Sequence, residues 1–279
     1  MEFDVSGGLE SLPIRGAEGQ IVNFQYFPDL ITGPGAELDP SEVSILGCNC
    51  SESCVPGVCT CLPYGNNYVN HRVVNSKTPI LECNILCNCG ETCHNRETQQ
   101  GLQFRLQVCR TSGKGLGLCT LEYIPSGRFV CEYAGEVIGK EEAGRRICAQ
   151  EPTDNNYIIA VREHLHAGQT LETFVDPTHK GNVGRFLNHS CQPNLFMLPV
   201  RTHSMVPKLA LFAARDILPG EELCYDYSGR YFNSVPDSVS TSQAVAQYEA
   251  SSGKRCLCET SSCTGTLPYD CSLYQLEPQ

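Results

Sequence analysis

The chain has 279 residues, a formal net charge of −11, and 19 cysteines against three methionines and no tryptophan. That length suits one large domain or two modest ones, and the acidity argues against a protein that grips a nucleic-acid backbone, which is held by surplus Lys and Arg. With no apolar run long enough to span a bilayer and no charged-then-apolar leader, a soluble chain without a secretion signal is expected, which leaves an exported disulfide scaffold a poor explanation for the thiols.

Residues 1–45 show little periodicity and several Gly and Pro, and read as an extended wrap in which Phe24-Gln25-Tyr26-Phe27 is a candidate strand docked on the body. From Cys48 the spacing is C-x-C-x3-C-x4-C-x-C, then a gap of 21 residues, then C-x3-C-x-C-x3-C, giving Cys48, Cys50, Cys54, Cys59, Cys61, Cys83, Cys87, Cys89 and Cys93. Nine thiolates fall short of the roughly twelve bonds that three tetrahedral zinc ions need, unless three of them bridge. Neighbouring side chains in a C-x-C pair point in different directions and suit separate disulfides poorly, so a zinc cluster is favoured over disulfides or free thiols. The 62–82 insert, with Pro63, Gly65 and Asn66, reads as an exposed loop.

Leu102 to Val108 alternates apolar and polar residues as a half-buried strand does. Further strands are expected at 129–133, ending at Ala134-Gly135-Glu136, and at 156–161, 172–176 and within 205–214. Residues 140–150 make the clearest helix, with a solvated face of Glu141, Glu142, Arg145 and Arg146. Cys109, Cys119, Cys131 and Cys148 lack ligand spacing and are expected to be small buried hydrophobes. Residues 228–255, rich in Ser, Val and Gln, read as a mobile linker. Beyond it Cys256-x-Cys258-x4-Cys263 is one ligand short of a closed tetrahedral site, and Cys271 is assigned to nothing.

Three stretches carry chemistry. Lys114-Gly115-Leu116-Gly117 alone is an ordinary turn, although its glycines permit close backbone approach and unusual φ. Gly184 to Asn194 places an amide, an imidazole, a hydroxyl and a thiol at Asn188, His189, Ser190 and Cys191, a run that is either a polar loop or a buried turn satisfied by partners elsewhere. Gly220-Glu221-Glu222-Leu223-Cys224-Tyr225-Asp226-Tyr227 ends in a tyrosine alternation that in isolation is more often strand packing.

Together, and in this order between the two cysteine groups, these stretches resemble the SET-domain protein lysine methyltransferases over roughly residues 46–270. The resemblance implies a mainly β, knot-like SET fold with short helices. It divides the chain into the N-terminal wrap (1–45), a pre-SET module with a triangular three-zinc, nine-cysteine cluster (46–109), a SET catalytic domain (110–229), a linker (230–253) and a post-SET module (254–270). Cys191 would supply the ligand that Cys256, Cys258 and Cys263 lack. With four zinc ions and thirteen thiolates the net charge becomes about −16, which attracts a basic partner.

The resemblance further implies that Lys114, Gly115, Leu116, Tyr157, Arg185, Asn188 and His189 line an S-adenosylmethionine pocket, with Leu257 covering the adenine. Tyr227 matches the catalytic tyrosine, and Tyr225 the position that limits the product to mono- and dimethyl-lysine. His189 is read as structural rather than as a general base. The substrate implied is a histone tail, H3 favoured, or a nucleosome, added as a strand beside a sheet edge. The chain would act in the nucleus on chromatin, as a monomer, with no intrinsic DNA-binding domain and no membrane attachment. Rival readings are an inactive SET-type chromatin-binding module, a methyltransferase for a non-histone protein, and a zinc-dependent DNA-binding protein, the last disfavoured by the acidity.

Overall fold

The computed structural model describes residues 2–17, 24–51, 53–151, 154–164, 170–229 and 254–268. The N-terminal wrap contributes a hairpin, β1 (Glu2–Asp4) with β2 (Arg15–Ala17), and two short strands, β3 (Gln25–Tyr26) and β4 (Ile31–Thr32). The cysteine-rich segment carries β5 (Tyr68–Val69), β6 (Arg72–Val73) and β7 (Ile80–Leu81). Then come β8 (Leu106–Thr111), β9 (Gly115–Thr120), β10 (Phe129–Glu132), β11 (Gly135–Ile138) and the helix α1 (Lys140–Cys148). The remaining strands are β12 (Ile159–His164), β13 (Thr170–Gly181), β14 (Asn188–His189), β15 (Leu195–Arg201), β16 (Lys208–Ala213) and β17 (Glu222–Tyr225).

These strands form several small sheets. One has six strands in the order β1-β2-β8-β9-β17-β14, another four in the order β10-β16-β15-β7, and a third runs β12-β13-β11-β4 with β3 also paired to β13. The main core lies where they meet. Ile14, Leu106, Leu118 and Leu223 of the six-stranded sheet region are fully buried against Val130, Leu195 and Leu209. Each such side chain contributes roughly 1.5–3 kcal/mol of burial. Because the wrap supplies Val5, Ile14, Tyr26 and Leu30 to this core and strands to two sheets, it is part of the body rather than a tether.

Around its cysteines the pre-SET segment has little conventional core, Tyr68 and Ile80 packing instead into a separate cluster with Phe212. Its buried cluster consists of eight cysteines together with Cys59's neighbour in space, Leu62, with Cys50 and Leu81 packed alongside. With so little apolar surface around the thiols, zinc binding is expected to contribute much of this part's stability.

Several expectations are corrected. The 62–82 insert is not simply an exposed loop: β5 and β6 form a hairpin turning at Asn70 and His71, both at positive φ, and Tyr68 is buried against Phe212. The strand expected from Leu102 starts at Leu106. Before it, side chains take the backbone groups, Ser11 donating to the Leu102 carbonyl at 2.8 Å and Glu122 accepting from the Arg105 N–H at 2.7 Å. The strand expected from Asn156 starts at Ile159, because the Asn156 carboxamide accepts the Ile158 N–H and makes a local turn. Residues 134–136 do not end a strand region but lead at once into β11. The strand β15, which pairs with both β16 and β7, had no expectation at all. Cys109 and Cys119 are not buried hydrophobes: half-buried diagonal neighbours across β8 and β9, they are joined as a disulfide. Cys131 is buried as expected, and Cys148 is exposed at the end of α1. Most of the expected linker and Cys271 lie outside the described residues.

Candidate active site and zinc centres

The fit of the thiols to zinc can be tested on distance. A tetrahedral ion with Zn–S near 2.3 Å places its sulfurs ~3.8 Å apart. In the pre-SET segment, Sγ–Sγ separations are 3.8 Å for Cys48–Cys54, 3.5 Å for Cys54–Cys83, 3.6 Å for Cys54–Cys93, 3.9 Å for Cys83–Cys93 and 3.8 Å for Cys61–Cys87. Cys48, Cys50, Cys54 and Cys59 form one compact tetrad, and Cys54, Cys83, Cys89 and Cys93 another. Cys48 and Cys83 recur in further tetrads that take in Cys61 and Cys87. If Cys48, Cys54 and Cys83 are the shared ligands, the remaining six complete three sites, and the nine thiols suffice.

The second centre joins distant parts of the chain. Cys191, just after β14, lies with Cys256, Cys258 and Cys263 in a tetrad whose sulfurs are all within 4.8 Å, with Cys191 and Cys256 at 3.9 Å. Burial raises the Cys256 thiol to about 12, whereas hydrogen bonds from Thr260 and from the Cys191 backbone outweigh burial and bring Cys258 down to about 6. Four thiols, joined by no other His, Cys, Asp or Glu among the described residues, fit a closed structural site.

The segment of Cys191 also builds the candidate catalytic region. β14 lies parallel to β17, with Asn188 opposite Cys224 and His189 opposite Tyr225. Each of the four side chains of the Asn-His-Ser-Cys run has a partner. The Asn188 amide donates to the Leu116 carbonyl at 3.0 Å and to Glu222 Oε1 at 2.9 Å. His189 Nδ1 accepts the Tyr227 backbone N–H at 3.2 Å, so the neutral ring carries its proton on Nε2, which faces Cys191 Sγ at 3.4 Å. Burial lowers the His189 pKa, and Lys114 adds to this while Asp226 opposes it. The Ser190 N–H donates to the Tyr225 carbonyl, and its hydroxyl accepts from Gln192.

β9 closes one side. Gly115 has φ +80°, and a Cβ on Gly117 would sit 2.5 Å from Thr111 Cγ2 and 2.9 Å from Glu222 Oε1, so both glycines are required. The Lys114 ammonium is held by Glu222 at 2.6 Å. Glu222 therefore gathers Lys114 and Asn188, which sequence reasoning assigned, yet it was itself given no role. Asn194 was missed too: its amide donates to the Glu222 carbonyl and accepts the Cys224 N–H, both at 2.8 Å, bracing β17. From the post-SET segment, Leu257 Cδ1 lies 3.5 Å from the position of a Cβ on Gly113, beside the Lys114 turn.

The tyrosines converge. Tyr225 and Tyr227 have ring centroids 4.8 Å apart, and Tyr225 lies 6.1 Å from Tyr133. Tyr133, read from sequence only as the end of a strand, donates its hydroxyl to the Tyr157 carbonyl at 2.6 Å. The Tyr227 residue is 38 % exposed, but its hydroxyl points inward and donates to the Leu187 carbonyl at 2.8 Å. Burial raises this phenol well above its usual range, helped by Cys224, Tyr157 and Glu222. Burial, Tyr133 and Tyr227 raise Tyr225 likewise. The Arg185 guanidinium stacks on Tyr157 at 4.6 Å, next to this group.

Two family models match the chain, the pre-SET motif over residues 10–96 and the SET domain over residues 115–228. These define a SET-domain protein with its pre-SET zinc module. The histone-lysine N-methyltransferase SETMAR of Mus musculus is 56 % identical over 97 % of this chain and 90 % of its own length. The crystal structure of the methyltransferase domain of human SETMAR superposes with a TM-score of 0.86 at 49 % identity, covering 97 % of this chain and 99 % of that one. KRYPTONITE, solved in complex with mCHH DNA, an H3(1-15) peptide and SAH, matches with a TM-score of 0.68 at 31 % identity over 95 % of this chain and 53 % of its own. The chain belongs to the SET-domain histone-lysine N-methyltransferases.

Proposed function

We propose that the chain transfers methyl groups from S-adenosylmethionine to a lysine of a histone tail, H3 favoured, yielding mono- and dimethyl-lysine, with Tyr227 and Tyr225 at the reacting end. The observation that carries this is the convergence of Tyr133, Tyr225 and Tyr227 beside the Asn188–His189 strand, on a segment that Cys191 ties to a thiol tetrad. S-adenosylmethionine supplies an electrophilic methyl on a cationic sulfonium.

The task left to the protein is to hold an amine in line with that methyl and exclude water. A lysine side chain has a pKa of about 10.4 in water and reaches the site protonated. Burial among phenol rings disfavours its charged form, so the ammonium releases its proton to solvent as it enters and attacks as the neutral amine. The Tyr227 hydroxyl donates to the Leu187 carbonyl, so its oxygen lone pairs remain to accept an N–H from the amine and fix its direction. A phenol is neutral at pH 7 and burial reinforces this, so Tyr227 orients the amine rather than deprotonating it. The same holds for His189, whose Nδ1 is occupied by a backbone N–H. The imidazole thus joins β14, β17 and the Cys191 centre, a structural role.

On this reading Lys114, Gly115, Leu116, Tyr157, Arg185, Asn188 and His189 surround the methyl donor, and Leu257 closes over it. The acidic chain suits a Lys-rich tail. The proposal includes action in the nucleus, on chromatin, by a monomer. The test is label transfer from methyl-labelled S-adenosylmethionine to an H3-tail peptide and to the same peptide with every lysine replaced by arginine. Labelling of the first alone is expected, and equal labelling of both, or of neither, would contradict the substrate assignment.

A further inference from the structure

Arg185 is held in an unusual way. Its Cζ lies 4.5 Å from the Phe24 ring centroid, 4.6 Å from that of Tyr157 and 5.1 Å from that of Phe186. Its Nε donates to the Pro177 carbonyl at 3.2 Å and its Nη2 to the Thr178 carbonyl at 3.4 Å. Among the described residues no carboxylate forms an ion pair with it, and ring faces and neutral carbonyls orient it.

Phe24 comes from the N-terminal segment, far in sequence from the motifs that carry the chemistry. It does not drift there by chance. β3 begins at the next residue and pairs with β13, Gln25 opposite Lys180 and Tyr26 opposite Gly181. The Phe27 N–H donates to the Gly181 carbonyl at 2.8 Å, and the Asn182 amide to the Pro28 carbonyl at 3.2 Å. The Phe24 ring meets Phe186 edge-on at 5.9 Å and Tyr26 at 6.1 Å. Downstream of Arg185 the contacts continue inward: Tyr157 accepts the Tyr133 hydroxyl, and Tyr133 packs on Tyr225.

We propose that Phe24 is a positioning residue for the methyl-transfer site, its ring locking the Arg185 guanidinium against Tyr157 so that both are preorganised for the methyl donor. This rests on the reading of Arg185 and Tyr157 as methyl-donor contacts. It gives the N-terminal segment a role in binding as well as in the core. A cation–π contact between partly buried groups of this kind alters affinity by roughly three- to thirtyfold when the ring is removed.

The test is the equilibrium dissociation constant of S-adenosylmethionine, measured by calorimetry on the full chain for wild type, Phe24→Leu, Phe24→Tyr, Arg185→Gln and the Phe24→Leu/Arg185→Gln double variant. Phe24→Leu keeps apolar volume but no ring, and is expected to bind about fivefold more weakly. Phe24→Tyr restores the ring and is expected within about twofold of wild type. Because Phe24 acts through Arg185, Phe24→Leu should cost nothing further in the Arg185→Gln background. Wild-type affinity for Phe24→Leu would overturn the proposal. An undiminished loss in the Arg185→Gln background would too, since a general packing defect persists there. Failure of the wild type itself to bind would overturn the reading of the site and this proposal with it, whereas wild-type binding with an indifferent Phe24→Leu overturns this proposal alone.

Discussion

At the scale of residues the site is a set of neutral phenols and amides held in fixed directions. Tyr227 is fixed twice, by its hydroxyl to Leu187 and by its backbone N–H to His189. Tyr225 lies deeper, buried between Tyr133 and Tyr227. A hydroxyl at that depth fills space that a more methylated amine would need and offers a place to hold water. Tyr225→Phe removes the oxygen while keeping the ring packing, so it is expected to shift products from mono- and dimethyl- towards trimethyl-lysine by about tenfold, on the order of 1.4 kcal/mol in relative barriers. Mass spectrometry of the modified peptide reads this directly, and an unchanged product distribution would remove Tyr225 from specificity. The motif residues were legible because several unlike polar groups crowd into one short run. Tyr133, Glu222 and Asn194 were not, because what distinguishes them is a partner supplied by another strand.

At the scale of elements, the parallel pairing of β14 with β17 matters most, since it brings the Asn-His-Ser-Cys run beside the tyrosines. No local periodicity reports such a pairing. Periodicity found β10, β13 and β16 well enough, but it missed β15 and the β5–β6 hairpin, whose strands are short or packed on both faces. Cysteine spacing was more informative than hydropathy because metal geometry restricts it more tightly. The two zinc centres should also separate experimentally. Cys263→Ser removes a ligand from one closed tetrad and is expected to lower zinc content from about four to about three ions per chain, leaving the pre-SET cluster intact. Cys48→Ser removes a thiol common to several overlapping tetrads, and is expected to leave two ions or fewer by atomic emission, with loss of folded pre-SET structure. Equal zinc loss in the two variants would contradict the sharing of Cys48.

At the scale of the molecule, the N-terminal segment, the cysteine cluster and the terminal thiols all serve one catalytic body. The wrap adds strands to two sheets and sets Phe24 on Arg185. The terminal segment returns through Cys191 and brings Leu257 beside the Lys114 turn. The overall class was legible from the order of the motifs along the chain, whereas the way the wrap enters the core was hidden in a stretch with almost no pattern. Lysine methylation by this chain depends on the Tyr227 phenol to direct the amine at the methyl group. The most direct measurement is methyl transfer from S-adenosylmethionine to recombinant nucleosomes and free histones, read by mass spectrometry, for the wild type and for Tyr227→Phe with zinc content and cofactor affinity matched. Mono- and dimethylation of a histone lysine is expected from the wild type, with a fall of at least about a hundredfold in the variant, whose amine is no longer aligned. Equal transfer by both proteins, or none by a zinc-loaded wild type that binds its cofactor, would contradict it.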